Sequence, residues 1–497
     1  MANMNIQGGN VFRLLADQAA GRPDERALED GERIWNFAQL NAEAARFARA
    51  LRDTGLNPGD RLGVCLRDTA DHLIARLGAG RAGIAVVPMD WRLPLPERAT
   101  VARNFRLAAV LTEPGGTIDG ARCIPVDGTW QDRVAGAAEL PFVDDASLPL
   151  VLNLSSGTTG APKAAVVSHA NYTQRLRNNV AACGPVAGLR YLSVSPLYFS
   201  AGGHFCLMTL LQGGTVILYP PMFGAEEYVD AVREHDATMA FLVPTVLRWL
   251  LALPIDEPPL LPSLKLLIAA ASPLTAEERL QIVRRLTPNL YDMYGSAGGG
   301  TISSLRPAEI ATHADTVGRA VGDVQLRVVD DAGGELPAGT VGLVRLRGAG
   351  VTTAWFDTSG PAAPTSVPRA ERVTDGWLYT GDLGSLDADG YLTLQGRADD
   401  VILRGGANIY PDVVEAALRR CAGVGDAAVV GRPVQGADPE IVAFVVAAAD
   451  DGTLTEQVLL THCRSILPAW MLPAEIRIVD DLPRTTSGKV KRRELLP

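Results

Sequence analysis

Residues 154–169 read LSSGTTGAPKAAVVSH, and their types suit the binding of a polyphosphate. Ser155, Ser156, Thr158 and Thr159 supply hydroxyls. Gly157 and Gly160 let backbone N–H groups approach an oxyanion with no side chain in the way. Lys163 adds a mobile cation. The spacing is not G-x-x-x-x-G-K-[ST], so this is no Walker A loop. Taken alone, the same residues also suit a polar turn after a strand. A second candidate lies in residues 483–495, PRTTSGKVKRREL, where Ser487 and Gly488 give Lys489 a flexible approach. Such an amine can enter a site and bridge a carboxylate and a phosphate as charge shifts between them. A solvated basic tail is the alternative, because Lys491, Arg492 and Arg493 follow.

These groups need a scaffold. Residues 148–154 form an apolar run that reads as a buried strand leading into the loop. Residues 37–53 place apolar side chains at 37, 40, 44, 47, 48 and 51, close to helical periodicity, and Gly55 and Pro58 end that helix. Residues 61–66, 84–88 and 110–112 read as strands, 71–80 as a second amphipathic helix, and 113–149 as irregular loops. Beyond residue 169 the rhythm resumes. A helix is expected over 170–182, strands over 191–196, 215–218, 238–243 and 264–271, and helices over 226–234 and 246–251. Strands alternating with helices imply parallel α/β layers. Residues 318–347 turn β-rich, and 358–369 read as a surface loop. From Gly396 on, a helix over 412–421, strands over 427–430 and 441–447, and a helix over 454–467 suit a small separate domain.

Composition narrows the function classes. With 497 residues the chain can build a large core in two or more domains. A net charge of −10 argues against a nucleic-acid-binding surface. Six scattered cysteines without a Cys-x-x-Cys pair point away from a zinc site or a disulfide framework and toward a reducing cytoplasm. No signal-like or membrane-spanning apolar run stands out, so no transmembrane segment is expected.

S-S-G-T-T-G-x-P-K resembles the phosphate loop of the AMP-forming adenylate superfamily, which includes acyl- and aryl-CoA ligases, luciferases and peptide-synthetase adenylation domains. Residues 291–295 (YDMYG), 379–382 (YTGD), 396–415 and 483–495 match the same family in order. The resemblance implies an α/β fold. A large N-terminal domain of layered α/β subdomains plus a β-rich subdomain (residues 1–396) precedes a small mobile α+β lid (residues 397–497), with the hinge near Asp399. It implies ATP, Mg²⁺ and coenzyme A as cofactors, and a small carboxylic acid as substrate. Asp382 would bind the ribose hydroxyls, Arg397 the ribose or a phosphate, and Tyr294 would stack on adenine. Ala270 and Ala271 stand where the family has a small-residue turn beside adenine, and the resemblance implies that Gly295 and Ser296 also contact the nucleotide. Gly405, Gly406 and Asn408 would line a pantetheine tunnel. Lys163 and Lys489 would be the catalytic cations.

Two stretches depart from the family pattern. Y-G-x-T-E is replaced by Tyr294-Gly295-Ser296-Ala297-Gly298, followed by Gly299 and Gly300. The family's glutamate helps hold Mg²⁺, so Gly298 removes one oxygen ligand and leaves the metal site undefined. On this reading, Gly298→Glu should tighten the dependence on Mg²⁺. After the strand ending at Pro196, Phe-His is replaced by Tyr198-Phe199. Phe199 would gate an acyl pocket lined by Phe241, Ala270, Met293, Gly295 and Ser296, while His204 reads as structural. An apolar lining favours an aryl or medium aliphatic acid over an amino acid. The leading reading is an acid–CoA ligase. The alternatives are an adenylating enzyme that delivers to a carrier protein, an amine or another acceptor, and a non-catalytic nucleotide-binding relative.

Overall fold

The computed structural model describes residues 9–154, 163–220, 222–357, 373–404, 407–434, 437–448, 454–484 and 490–496. Two large sheets carry the N-terminal part. One has seven strands, in the order Trp355–Asp357, Lys163–Ser168, Pro149–Leu154, Ala85–Pro88, Arg61–Cys65, Ala109–Thr112, Cys123–Pro125. The other has nine, among them the adjacent parallel strands Arg190–Ser193, Met239–Leu242, Leu266–Ala269 and Leu290–Ser296. A five-stranded antiparallel sheet around Trp377–Leu386 is the β-rich part. A three-stranded sheet (Val424–Val434, Ala437–Ala447, Glu475–Ile478) with helices Pro411–Arg419 and Glu456–Ile466 forms the small C-terminal domain. Its core, including Ile409, Val414, Leu418, Val429 and Leu459, is a separate apolar cluster.

Helix Phe37–Asp53 begins with a reciprocal cap: Gln39 N donates to Asn36 Oδ1 (2.7 Å) and Asn36 N to Gln39 Oε1 (3.0 Å). Its periodic face, with Phe37, Leu40, Phe47 and Leu51, is buried. Helix Ala70–Arg81 departs from the amphipathic expectation. It is buried on every side except at Asp71, because it lies between other elements rather than on the surface. Gly80 permits this, since a Cβ there would come within 1.9 Å of the Phe12 ring. Residues 113–149, expected to be irregular, contain strand Cys123–Pro125 and helix Gly128–Gly136. The helix is short, but Asp127 caps it by accepting from Trp130 N (3.0 Å), and Trp130 packs on Phe47. A helix over Ser200–Leu211 was also not foreseen, because its apolar residues face all directions and carry no period.

Two fully buried histidines bind this region together. His72 meets Leu66 O through Nδ1 (3.2 Å), and His169 Nδ1 accepts from Val11 N (3.3 Å). Burial pulls His72 down to about 3 and His169 to about 4. An unfolded histidine titrates near ~6.5. Below that pH the unfolded chain binds more protons, so stability falls as the pH drops. The pair should cost about 3 kcal/mol of stability between pH ~6.5 and ~5. Urea midpoints measured across this range check the expectation, and a flat profile would refute it.

Candidate active site

The registers Leu242↔Ala269 and Ala269↔Asp292 bring the carboxyl ends of three parallel strands to one edge. Ligands of open α/β sheets bind at such edges. Strand Arg190–Ser193 joins them, and its following turn carries Tyr198 and Phe199. Phe199, Ala270, Tyr294 and Ser296 are half-buried there, and Ala271 and Gly295 are exposed. Phe241 and Met293 lie deeper, nearly closed off within the core, where the Phe241 ring packs on Phe205 at 4.6 Å. Asp292 anchors the YDMYG strand from behind: Arg279 Nε donates to its Oδ2 at 2.6 Å, with both side chains buried. Ala271 holds φ +82°, a left-handed conformation that favours glycine, so the turn beside the edge carries strain.

The five-stranded sheet delivers Asp382 to this edge. The Tyr294 hydroxyl donates to Asp382 Oδ2. Arg397 Nη1 donates to Asp382 Oδ1 (3.1 Å) and to Thr380 O (2.9 Å). Asp382 and Arg397 are direct cross-strand partners, which fixes their spacing. Burial and the neighbouring Asp382 charge push the Tyr294 phenol well above its ordinary range. Burial opposes the Arg397 charge, but Asp382 outweighs it and holds the guanidinium above its usual value. Three residues from separate motifs thus meet at one carboxylate.

Other expected site residues are placed in part. Lys163 opens the strand Lys163–Ser168, at the end of the connection from Pro149–Leu154. Ser155, Ser156, Gly157, Thr158, Thr159 and Gly160 lie outside the described residues, as do Gly405, Gly406, Lys489 and the expected loop over 358–369. Asn408 lies on the short strand Ala407–Ile409. Asp399 is exposed in the 3-10 turn Ala398–Asp400 that follows Arg397. Arg492, read from the sequence as part of a basic tail, donates to Asp412 Oδ1 (2.9 Å) and Glu415 Oε1 (2.7 Å), which ties the chain end to the helix after the turn. His204 is structural: its Nδ1 meets the Tyr172 hydroxyl (3.1 Å), and burial with the Arg175 and Arg76 charges pulls it down to about 3.

Position 298 does not fit a metal-holding glutamate. A Cβ there would stand 2.9 Å from Trp355 Cζ2 and 2.9 Å from Leu378 Cδ2. Arg175 and Trp355, both missed in the sequence, surround this turn. The run Gly298-Gly299-Gly300 signals a closely packed turn but not which residues pack on it. At Gly299 a Cβ would meet Leu346 Cδ1 (2.9 Å), and at Gly300, with φ +69°, Arg175 Cδ (3.0 Å). Among the described residues no cluster of three metal-ligating side chains occurs. None of the six cysteines is paired, and among the described residues no helix is long and apolar enough to cross a membrane.

The AMP-binding enzyme family matches residues 15–356, and the AMP-binding enzyme C-terminal domain matches residues 413–489. The chain is 29% identical to the indoleacetate–CoA ligase of Aromatoleum aromaticum, covering 96% of each. It is 30% identical to a feruloyl-CoA synthase of an Amycolatopsis species, covering 95% of this chain and 96% of the relative. The ATP-bound crystal structure of MatB from Rhodopseudomonas palustris superposes with a TM-score of 0.87 at 27% identity, covering 98% of each chain. With the fold, the ordered motifs and the full-length relatives in agreement, the chain belongs to the AMP-binding enzymes.

Proposed function

We propose that the chain is an AMP-forming acid–CoA ligase. A carboxylate oxygen attacks the α-phosphorus of ATP, an acyl-adenylate forms and pyrophosphate leaves. The thiolate of coenzyme A then attacks the acyl carbon, and AMP leaves with the electrons of the broken C–O bond. The observation that carries this reading is the meeting of Tyr294 and Arg397 on the Asp382 carboxylate. A carboxylate held by two donors beside a sheet edge is preorganised to accept two ribose hydroxyls.

Adenine rests between Tyr294 and the Ala270–Ala271 turn, near Gly295 and Ser296. Residues 155–160 and Lys163 hold the phosphates, and Lys489 bridges the incoming carboxylate and the α-phosphate. Position 298 offers no carboxylate to hold Mg²⁺, and a Mg²⁺ carried by the nucleotide would supply charge neutralisation at its phosphates. Phe199 and Gly295 face the acyl group, with Phe241 and Met293 behind them. That apolar backing favours an aryl or medium aliphatic acid, and the two relatives named above carry aryl acids in their names. Gly405, Gly406 and Asn408 border the pantetheine path. The small domain begins at residue 397 and pivots at Asp399. A carrier protein or an amine as acceptor is the competing reading.

Pyrophosphate release should be measured with ATP and Mg²⁺ across aryl, aliphatic and amino acids, with and without coenzyme A, and products identified by mass. Acyl-CoA plus AMP from one acid class is the expected result. An adenylate without thioester in the presence of coenzyme A would favour another acceptor. No pyrophosphate from any acid would refute catalysis of this kind.

Lys489→Ala should slow adenylation about a hundredfold, the cost of one cation on developing charge. Thioester formation from supplied acyl-adenylate should stay near wild type. Equal loss in both half-reactions would reject the role of Lys489.

A further inference from the structure

The turn at residues 297–298 presents the reverse of a metal site, because donors surround it. Arg175 rises from helix His169–Cys183 beneath it, with only 5% of its surface exposed. Its Nη2 donates to Gly298 O (2.6 Å) and Ala297 O (3.2 Å), and its Nε to Gly350 O (2.9 Å). Among the described residues no carboxylate lies within ion-pair distance of it. Burial pulls it down to about 10, so it is still charged at neutral pH. Above the turn, the Trp355 ring edge fills the space a side chain at 298 would take, and its Nε1 is buried without a hydrogen-bond partner.

A buried cation whose partners are all carbonyls keeps its full positive charge. In a low-dielectric setting that charge acts over several ångströms. Backbone carbonyls drawn onto Arg175 also turn the opposite, positive ends of those peptides away from it. The guanidinium charge and the peptide dipoles together favour anionic oxygens nearby and repel a cation.

We propose that Arg175 is a positioning residue of the nucleotide site: it fixes the Ala297–Gly298 turn and supplies the positive potential that lets this chain hold ATP's phosphates without a protein-bound metal. This rests on the adenylate-forming reading above. Arg175 itself leaves no room for a side chain at Gly300, as Trp355 and Leu378 do at Gly298 and Leu346 at Gly299.

The test is calorimetric binding of ATP and of adenosine, each with Mg²⁺ and with EDTA, to wild type, Arg175→Met and Arg175→Lys. Wild type should bind ATP in EDTA within about threefold of its affinity in Mg²⁺, since the protein supplies the charge. Arg175→Met should lose about tenfold or more in ATP affinity, the worth of a charged hydrogen-bonding group, and should bind adenosine like wild type. Arg175→Lys should fall between. A wild type that needs Mg²⁺ for ATP overturns the proposal with no variant required. Equal losses for ATP and adenosine would reduce Arg175 to a structural residue and overturn it too. Wild type that binds neither ligand would refute the nucleotide reading itself.

Discussion

Asp382→Ala is expected to lower adenylation about 10³-fold and to raise the KM for ATP. Two terms add up. The ribose loses two hydrogen bonds to a charged acceptor, each worth about 1.5–3 kcal/mol. The substitution also strands Arg397, whose guanidinium now donates to Asp382 Oδ1 at 3.1 Å. Left with Thr380 O alone in a partly buried setting, that cation will turn toward a phosphate instead, and the strand end will shift. Asp382→Asn separates the two terms, because it keeps an acceptor oxygen and removes the charge. Tyr294→Phe is the milder control: it deletes one donor to the carboxylate and leaves the ring for adenine. Pyrophosphate exchange and calorimetric ATP binding report both effects. Wild-type exchange in Asp382→Ala would remove Asp382 from the site.

Gly298→Glu is the second large effect, and it runs against the expectation from the motif alone. The family pattern makes this substitution a restoration. The packing makes it a collision, with Trp355 and Leu378 each 2.9 Å from the new Cβ. Overpacking costs about 1–3 kcal/mol, and a carboxylate forced into the space adds a burial cost of similar size. Urea denaturation should show a loss of about 3–5 kcal/mol. The added carboxylate would also stand near the Arg175 guanidinium, which holds the same turn by its carbonyls. Pairing between the two would pull the turn out of place. A stable Gly298→Glu protein with a sharper Mg²⁺ requirement would restore the motif-based view.

Much of the scaffold was legible because periodicity reports burial. The helix over 37–53 matches Phe37–Asp53, and the strand over 215–218 matches Thr215–Leu218, since each has one clear buried pattern. Helix Ser200–Leu211 escaped because a helix enclosed on all sides has no polar face to set a period. The site followed the same division. Asp382, Arg397 and Tyr294 were readable as motif residues, and their convergence is a matter of register and strand ends. Arg175 and Trp355 were not readable, because a lone arginine in a helix and a lone tryptophan in a strand look like surface and core. Only the three-dimensional closeness of Gly298, Gly300 and Gly350 to them makes three glycines into one socket.

The strand Leu392–Arg397 pairs with the end of Trp377–Leu386, with a register shift between Leu383 and Gly384, and then passes directly into the turn Ala398–Asp400. The last paired position is Asp382↔Arg397. If Asp382 takes the ribose and the small domain begins at residue 397, as proposed above, the two form one mechanical joint. A ribose that shares the Asp382 carboxylate with Arg397 would change the free energy of the joint as well as its own. By reciprocity, whatever orientation of the small domain favours Arg397 on Asp382 would bind nucleotide more tightly, and by the same factor. On the reading proposed above, occupancy of the nucleotide site would be a heterotropic effector of domain orientation, with the Asp382–Arg397 ion pair as its coupling element.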